Sequence, residues 1–274
     1  MLSINELQNH ASKIREGIIR GTYHAKSGHP GGSLSIADIL TVLYFEEMNI
    51  DPKNPKMPER DRFVLSKGHC APALYATLAE RGYFPMKELD NLRHLGHFLQ
   101  GHPDMKKIPG VDMSSGSLGQ GLSAANGMAL FSKHEGLNFR VYTILGDGEI
   151  QEGQIWEAAM SAAHYKLDNL TVFVDNNNLQ IDGTVEAVMS PYPIDEKFKA
   201  FGFNVINIDG HNYDEIRNAL KTARETKGKP TAIIAKTIKG KGVSFMENKV
   251  EWHGSAPKEE QAREAIKELT GGVL

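Results

Sequence analysis

Apolar residues recur at helical spacing over residues 3–24 and 35–48, which predicts two amphipathic helices at the start of the chain. Ser35 stands where an N-cap belongs, with Asp38 in the first turn behind it. Arg62–Ser66 reads as a short strand and Ala71–Arg81 as a helix; a Gly/Pro-rich loop over Gly101–Gly116 then leads into a small-residue helix, Gly119–Lys133. One unit then repeats: apolar strand Phe139–Leu145, helix Glu152–Tyr165, apolar strand Leu170–Val174. Phe203–Ile208 and Thr231–Ala235 continue as strands around a helix near Tyr213–Thr226, and a last helix spans about Lys258–Leu269. Continuous apolar strands alternating with helices predict an α/β fold, a mostly parallel sheet with helices on both faces. No Pro/Ser-rich linker divides the chain, so a single domain over residues 1–274 is expected. In such sheets ligands sit beyond the carboxyl ends of the strands.

Composition narrows the function. Lys and Arg number 31 against 34 Asp and Glu, a net charge of −3, which leaves no global basic field to hold a nucleic acid or an anionic membrane. The longest apolar run, Ile39–Phe45, is far too short to span a bilayer. The N-terminus shows no basic stretch leading into an apolar one, so no signal peptide is expected. A single cysteine, Cys70, cannot form an internal disulfide and suits a reducing cytosol, so a cytoplasmic location is expected. Glycine, at 27 residues, collects in a few loops, and those loops carry the chemistry.

Strand 139–145 runs into Gly146-Asp147-Gly148-Glu149, and strand 170–174 into Asp175-Asn176-Asn177-Asn178. One crossover helix separates them, so the strands are expected to lie parallel and close, bringing Asp147 and Asn177 to one sheet edge. A carboxylate, an amide oxygen and a nearby backbone carbonyl are hard ligands that suit Mg²⁺ or Ca²⁺ better than zinc or copper. Alone, Gly-Asp-Gly or an Asn run reads equally well as a turn. Together, at successive strand ends with 27 residues between Gly148 and Asn176, they point to a metal–diphosphate site.

Eight motifs then appear in order: Ser27-Gly28-His29-Pro30-Gly31, Leu65-Ser66-Lys67-Gly68-His69, Gly101-His102-Pro103, Gly116-Ser117-Leu118-Gly119-Gln120-Gly121, Gly146-Asp147-Gly148-Glu149, Ile181-Asp182-Gly183, Lys239-Gly240-Lys241-Gly242 and Trp252-His253-Gly254. G-D-G followed at this spacing by N-N resembles the thiamine-diphosphate-binding signature. The whole series resembles the N-terminal, diphosphate-binding domain of the transketolase family, over nearly the entire chain.

The resemblance implies roles residue by residue. Asp147, Asn177 and the carbonyl of Leu179 would hold the metal, Mg²⁺ with Ca²⁺ or Mn²⁺ as substitutes. Gly148 would give its N–H to the diphosphate of thiamine diphosphate, with His69, His253 and Lys239 close to it. Gly116 and Leu118 match the loop that contacts the aminopyrimidine, and Ile181 and Ile238 match residues packing on the thiazolium. His29 and His102, with His253, are the implied catalytic histidines; the first two match residues that face the donor sugar. Imidazole titrates near neutral pH, which suits proton movement on sugar hydroxyls. Glu152 is either a solvated helix start or, as in the family, a buried interface carboxylate. His10, His24, His134 and His164 read as surface or core histidines, and His94 and His97 carry no motif. The 116–121 glycines run GxxGxG with no strand before them, which argues against a dinucleotide site.

In the family a second domain supplies the carboxylic acid against the pyrimidine and the arginines that bind sugar phosphate. No matching segment occurs here, so a pyrimidine-binding partner chain is expected, in an α₂β₂ assembly acting on sugar phosphates. The expected function is ketol transfer as the N-terminal subunit of a split transketolase. Deoxyxylulose-phosphate synthesis, a specialised catabolic sugar, or a non-catalytic cofactor-binding module are the alternatives.

Overall fold

The computed structural model describes residues 1–272 and 274. The strands are β1 (Arg62–Leu65), β2 (Val141–Gly146), β3 (Leu170–Asn176), β4 (Leu179–Gln180), β5 (Gly183–Thr184), β6 (Asn204–Asp209) and β7 (Thr231–Lys236). The helices are α1 (Ile4–Ala25), α2 (Pro30–Leu34), α3 (Ala37–Val42), α4 (Ala71–Arg81), α5 (Gln120–His134), α6 (Gly153–His164), α7 (Val185–Met189), α8 (Ile194–Ala200), α9 (Tyr213–Glu225) and α10 (Glu259–Thr270). Five strands form a wholly parallel sheet in the order β1-β2-β3-β7-β6, and β4 and β5 make a separate antiparallel hairpin.

Strand periodicity divides the core in two. Phe63, Tyr142, Ile144, Phe173 and Ile233 face helices α1, α3, α4, α9 and α10. Val64, Val141, Leu145, Val172, Val174 and Ile234 face α5, α6 and α8. A strand buried on both faces leaves little room for polar residues, which is why the central strands read as nearly continuous apolar runs, broken by Thr143 and Thr171. Each fully buried Leu, Ile or Phe contributes about 1.5–3 kcal/mol of transfer free energy. Helix α1 starts where its sequence says it should: Ser3 and Glu6 form a reciprocal capping box, with Ser3 Oγ accepting from the Glu6 N–H at 3.2 Å.

One expected element is corrected. Residues 35–48 do not form one helix; α2 and α3 flank a break at Ser35–Ile36, and a wide π-type turn over Leu43–Glu47 follows. Ser35 caps nothing. Its hydroxyl lies 2.7 Å from Asp175 Oδ2, at the far side of the sheet edge, and 3.0 Å from the Gly32 carbonyl. The tertiary bond to Asp175 outweighs the local cap, and α2 begins instead at Pro30, whose missing N–H suits a first helical turn.

Candidate active site

The carboxyl ends of β1, β2, β3 and β7 converge on one cavity of about 400 Å³. The register pairs Gly146 with Asp175, so the loops that follow, one carrying Asp147 and the other Asn177, leave the sheet side by side. The Asp147 N–H donates to the Asp175 carbonyl at 3.3 Å, and the Asn178 N–H donates to Asp147 Oδ2 at 2.5 Å. The Asn177 amide is oriented from behind: its Nδ2 donates to Asp175 Oδ2 at 2.9 Å, leaving its carbonyl oxygen turned the other way, toward the Leu179 N–H at 3.1 Å.

Asp175 is fully buried and binds four elements. Its Oδ2 accepts from Lys67 at 2.6 Å, from Ser35 and from Asn177, and its Oδ1 accepts from Thr237. Burial opposes the Lys67 charge, but the Asp175 carboxylate overrides it and holds the ammonium above its usual range. Burial likewise pushes Asp175 up, and Lys67 more than reverses it. Asp147 has no cation in ion-pair contact among the described residues, and the Lys239 charge only partly offsets what burial does. Burial, then the nearby Asp175 charge, raises its carboxyl to about 7.

Glu149 is 3 % exposed and joins three strand-end segments. Its Oε1 accepts from Ser66 Oγ at 2.5 Å and from the Gly119 N–H at 3.0 Å, and its Oε2 from the Gly146 N–H at 3.0 Å. The loop carrying Gly116 and Leu118 is thus tied to the loop carrying Asp147. Gly116 itself has φ +153, and a Cβ there would lie 3.0 Å from the His102 ring. Only glycine serves at such a position.

Three imidazoles face one another: His29 and His69 have ring centroids 5.0 Å apart, His69 and His253 5.3 Å, and His29 and His253 5.5 Å. Burial is the main cause that lowers all three, with neighbouring cations adding to it, to about 4 for His29 and His69 and about 3 for His253. His102 is lowered by burial, Arg93 and His69. In all four the shift favours the neutral imidazole. Lys239, 2 % exposed, donates to the Leu179 carbonyl at 2.9 Å and lies 3.0 Å from His253 Nδ1. His29 Nδ1 is buried with no partner among the described residues.

Of the residues singled out from the sequence, His29, His69, His102, Gly116, Leu118, Asp147, Gly148, Asn177, Leu179, Ile181, Lys239, His253 and Glu152 all line this cavity. Ile238 does not; it lines the neighbouring cleft with His211, because its N–H turns to donate to His211 Nε2 at 2.9 Å. Glu152 is exposed in the single chain, just ahead of α6, with its Cβ beside Gly119. Lys67, Asp175, Ser66 and Glu149 lie at strand ends inside or beside the motifs, yet the sequence alone gives them no role. The contacts Ser66–Glu149, Lys67–Asp175 and Ser35–Asp175 join residues 83–140 apart in the chain, so only a lysine and two acids at strand ends could have hinted at them.

Fold and cavity define an α/β domain whose polar crevice opens at the carboxyl ends of parallel strands, the layout of ligand-binding doubly wound sheets. Residues 7–271 match the family described as transketolase, thiamine diphosphate binding domain. The chain is 50 % identical over 264 residues to the 6-deoxy-6-sulfo-D-fructose transketolase subunit of Clostridium sp. (strain MSTE9), covering 96 % of each. It is 42 % identical to an apulose-4-phosphate transketolase subunit of Phocaeicola vulgatus, covering 98 % of this chain and 95 % of the relative. Transketolase of Campylobacter jejuni superposes with a TM-score of 0.92 at 36 % identity, covering 98 % of this chain and 43 % of that one. The chain therefore belongs to the transketolase family, and corresponds to its N-terminal, thiamine-diphosphate-binding domain.

Proposed function

We propose that this chain is one subunit of a two-chain transketolase, which moves a two-carbon ketol unit from a ketose phosphate to an aldose with thiamine diphosphate and Mg²⁺. The observation that carries the reading is the set of relatives: proteins themselves named as transketolase subunits are 42–50 % identical to this chain over 95–97 % of their own length. Full-length transketolases extend well beyond it; the human enzyme is covered to 42 %. A pyrimidine-binding partner in an α₂β₂ assembly, with Glu152 at a contact between subunits, completes the proposal.

The residues present fit both groups. Asp147 is a buried carboxylate with no cationic side chain in ion-pair contact among the described residues, and a divalent cation would stabilise its charge. Asn177 is held with its carbonyl oxygen free of Asp175, and the Leu179 carbonyl stands two residues on, where Lys239 holds it and a bound cation would compete for it. Lys239 and the neutral His69 and His253 offer donors to an anionic diphosphate. When bound, thiamine diphosphate supplies the electron sink for carbon–carbon bond cleavage. The chain's own part is to hold that group, keep Asp147 and Asn177 in register, and present His29 and His102 as neutral proton acceptors at the mouth of the cavity. A bound anion would raise these imidazoles toward the range useful for general acid–base work.

A specialised donor sugar is the second reading, favoured by the relatives named for 6-deoxy-6-sulfo-D-fructose and apulose-4-phosphate. One experiment tests both. The chain is purified alone and titrated with a pyrimidine-domain partner, mass is followed by light scattering, and ketol transfer is assayed with fructose 6-phosphate, xylulose 5-phosphate, 6-deoxy-6-sulfofructose and apulose 4-phosphate as candidate substrates. Turnover only in the complex supports the two-chain reading, and the preferred sugar chooses between the two. Robust turnover by the chain free of any partner overturns it.

A further inference from the structure

His102 lies on a strap, residues 99–102, that belongs to no helix or strand. A backbone stretch of this kind must find partners for its carbonyls outside secondary structure. Here two residues supply all of them. The Arg93 N–H donates to the Leu99 carbonyl at 2.9 Å, and Arg93 Nη2 donates to the Gly101 carbonyl at 3.3 Å. The Tyr75 hydroxyl lies 2.9 Å from the Gln100 carbonyl and 2.8 Å from that of His102, sharing one proton between them. No other hydrogen bond reaches these four carbonyls among the described residues.

Arg93 also reaches the other substrate-side histidine. Its Nη1 donates to Ser27 Oγ at 2.7 Å, two residues before His29. Its backbone is turned to φ +61, a region a non-glycine residue seldom adopts, and this aims the guanidinium between the two segments. It meets no carboxylate among the described residues, so its charge is left facing His29 and His102.

We propose that Arg93 and Tyr75 are the positioning residues of this site: together they lock the 99–102 strap to α4 and to the 26–29 segment, so that His102 and His29 are presented to the same substrate. The proposal rests on the reading that these two histidines face the sugar. Tyr75 can serve because it is fully buried on α4, so its hydroxyl is a fixed point rather than a mobile one. Burial is the main cause that lowers both histidines, and the Arg93 cation adds to it; His29 additionally faces His69, His253, His102 and Lys239, and His102 faces His69.

The test compares Tyr75→Phe, Arg93→Met, Arg93→Lys and His102→Ala in the full chain assembled with its pyrimidine-domain partner, thiamine diphosphate and Mg²⁺. Amide hydrogen exchange is read at residues 93 and 99, whose N–H groups donate to the Leu99 carbonyl and to His97 Nδ1, with the core of α4 as the internal standard. Turnover is read with the donor sugar preferred in the panel above. Tyr75→Phe and Arg93→Met should each speed exchange across the strap about tenfold or more while α4 stays protected. Each should lower kcat about 10- to 100-fold, less than His102→Ala, with affinity for thiamine diphosphate within about threefold of the parent. Arg93→Met should also move the acidic limb of the kcat profile to higher pH, since removing a cation favours protonated imidazole. Arg93→Lys keeps the charge without the fork, so it should restore the pH profile but not the slow exchange. Unchanged strap exchange in both Tyr75→Phe and Arg93→Met overturns the proposal, and so does unchanged kcat in both while His102→Ala is impaired; either leaves the functional reading standing. Full activity of His102→Ala instead overturns the functional reading, and with it the catalytic purpose of the strap. The exchange arm needs no turnover, so it tests the strap contacts independently of the functional reading.

Discussion

Replacing Arg15 by Met removes the guanidinium from a carboxylate that has almost no access to water. Asp38 is 4 % exposed and Arg15 8 %, and Arg15 Nη2 lies 2.6 Å from Asp38 Oδ2. Two further groups converge on the same carboxylate, His211 Nδ1 at 2.7 Å and the Tyr213 hydroxyl at 2.6 Å. Burial alone would raise the Asp38 carboxyl; Arg15 and His211 override it and hold it well below the usual range. Breaking such a pair from one side leaves a buried charge uncompensated and costs about 3–5 kcal/mol. For a chain of this size that corresponds to a fall in Tm of roughly 10 °C. The sign of the pH dependence follows. In the parent the folded carboxyl is depressed below its unfolded value of about 3.9, so its stabilisation is present above that pH and is lost only as pH falls through the lower folded value. In Arg15→Met burial acts unopposed by Arg15 and the folded value rises, so ionising Asp38 costs stability as pH increases. The deficit should therefore be largest near pH 7 and shrink toward pH 4.5. Adding Asp38→Asn to Arg15→Met should flatten that dependence and recover about 1 kcal/mol or more, because the uncompensated charge is gone. Urea unfolding at pH 4.5, 6 and 7.5 measures all of this. A deficit below about 1 kcal/mol at pH 7.5, or one equal at pH 4.5 and 7.5, would refute the argument. The cluster also touches the site, since His211 Nε2 accepts the Ile238 N–H beside Lys239, so Arg15→Met should weaken cofactor affinity as well.

Three other outcomes are expected. Asp147→Ala should leave the fold intact yet abolish Mg²⁺-dependent binding of thiamine diphosphate in the assembled complex; undiminished affinity by calorimetry would remove Asp147 from the metal site. Glu149→Ala strands the Ser66 hydroxyl and the Gly119 and Gly146 N–H groups, so it should cost about 2–4 kcal/mol, read as a lower denaturation midpoint at unchanged m-value. Gly121→Ala puts a Cβ 2.5 Å from Ser66 Oγ and 2.6 Å from its Cα, where α5 meets the end of β1, and should cost about 1–3 kcal/mol or more. Gly127→Ala, six residues on in the same helix with nothing within 4 Å, should instead gain about 0.5–1 kcal/mol, and equal effects from the two substitutions would contradict the packing described.

What was legible in the sequence is what short-range physics decides. Apolar runs such as Leu170–Val174 can only be strands buried on both faces, and Ser3 with Glu6 can cap a helix without help from elsewhere. Parallel pairing of β2 with β3 followed from a single crossover helix between them, and it carried Asp147 and Asn177 to one edge. The motifs also announced most of the cavity, because glycines, histidines and hard oxygen ligands at strand ends have few other uses in one place. Tertiary structure decided which charges are compensated and where side chains at loop positions point. Nothing local marks Asp175 as the acid that Lys67 neutralises; the register of β3 against its neighbours makes that choice across 108 residues. Ser35 has the local credentials of an N-cap, yet its hydroxyl serves Asp175. Ile238 sits in a site motif, yet faces the adjoining cleft because His211, held by the buried Asp38, takes its N–H. In each case the competing interaction is a buried hydrogen bond or charge pair between distant segments. A buried polar group left unpaired costs about 1–3 kcal/mol, more than a single local preference is worth, so the fold satisfies the distant partner first.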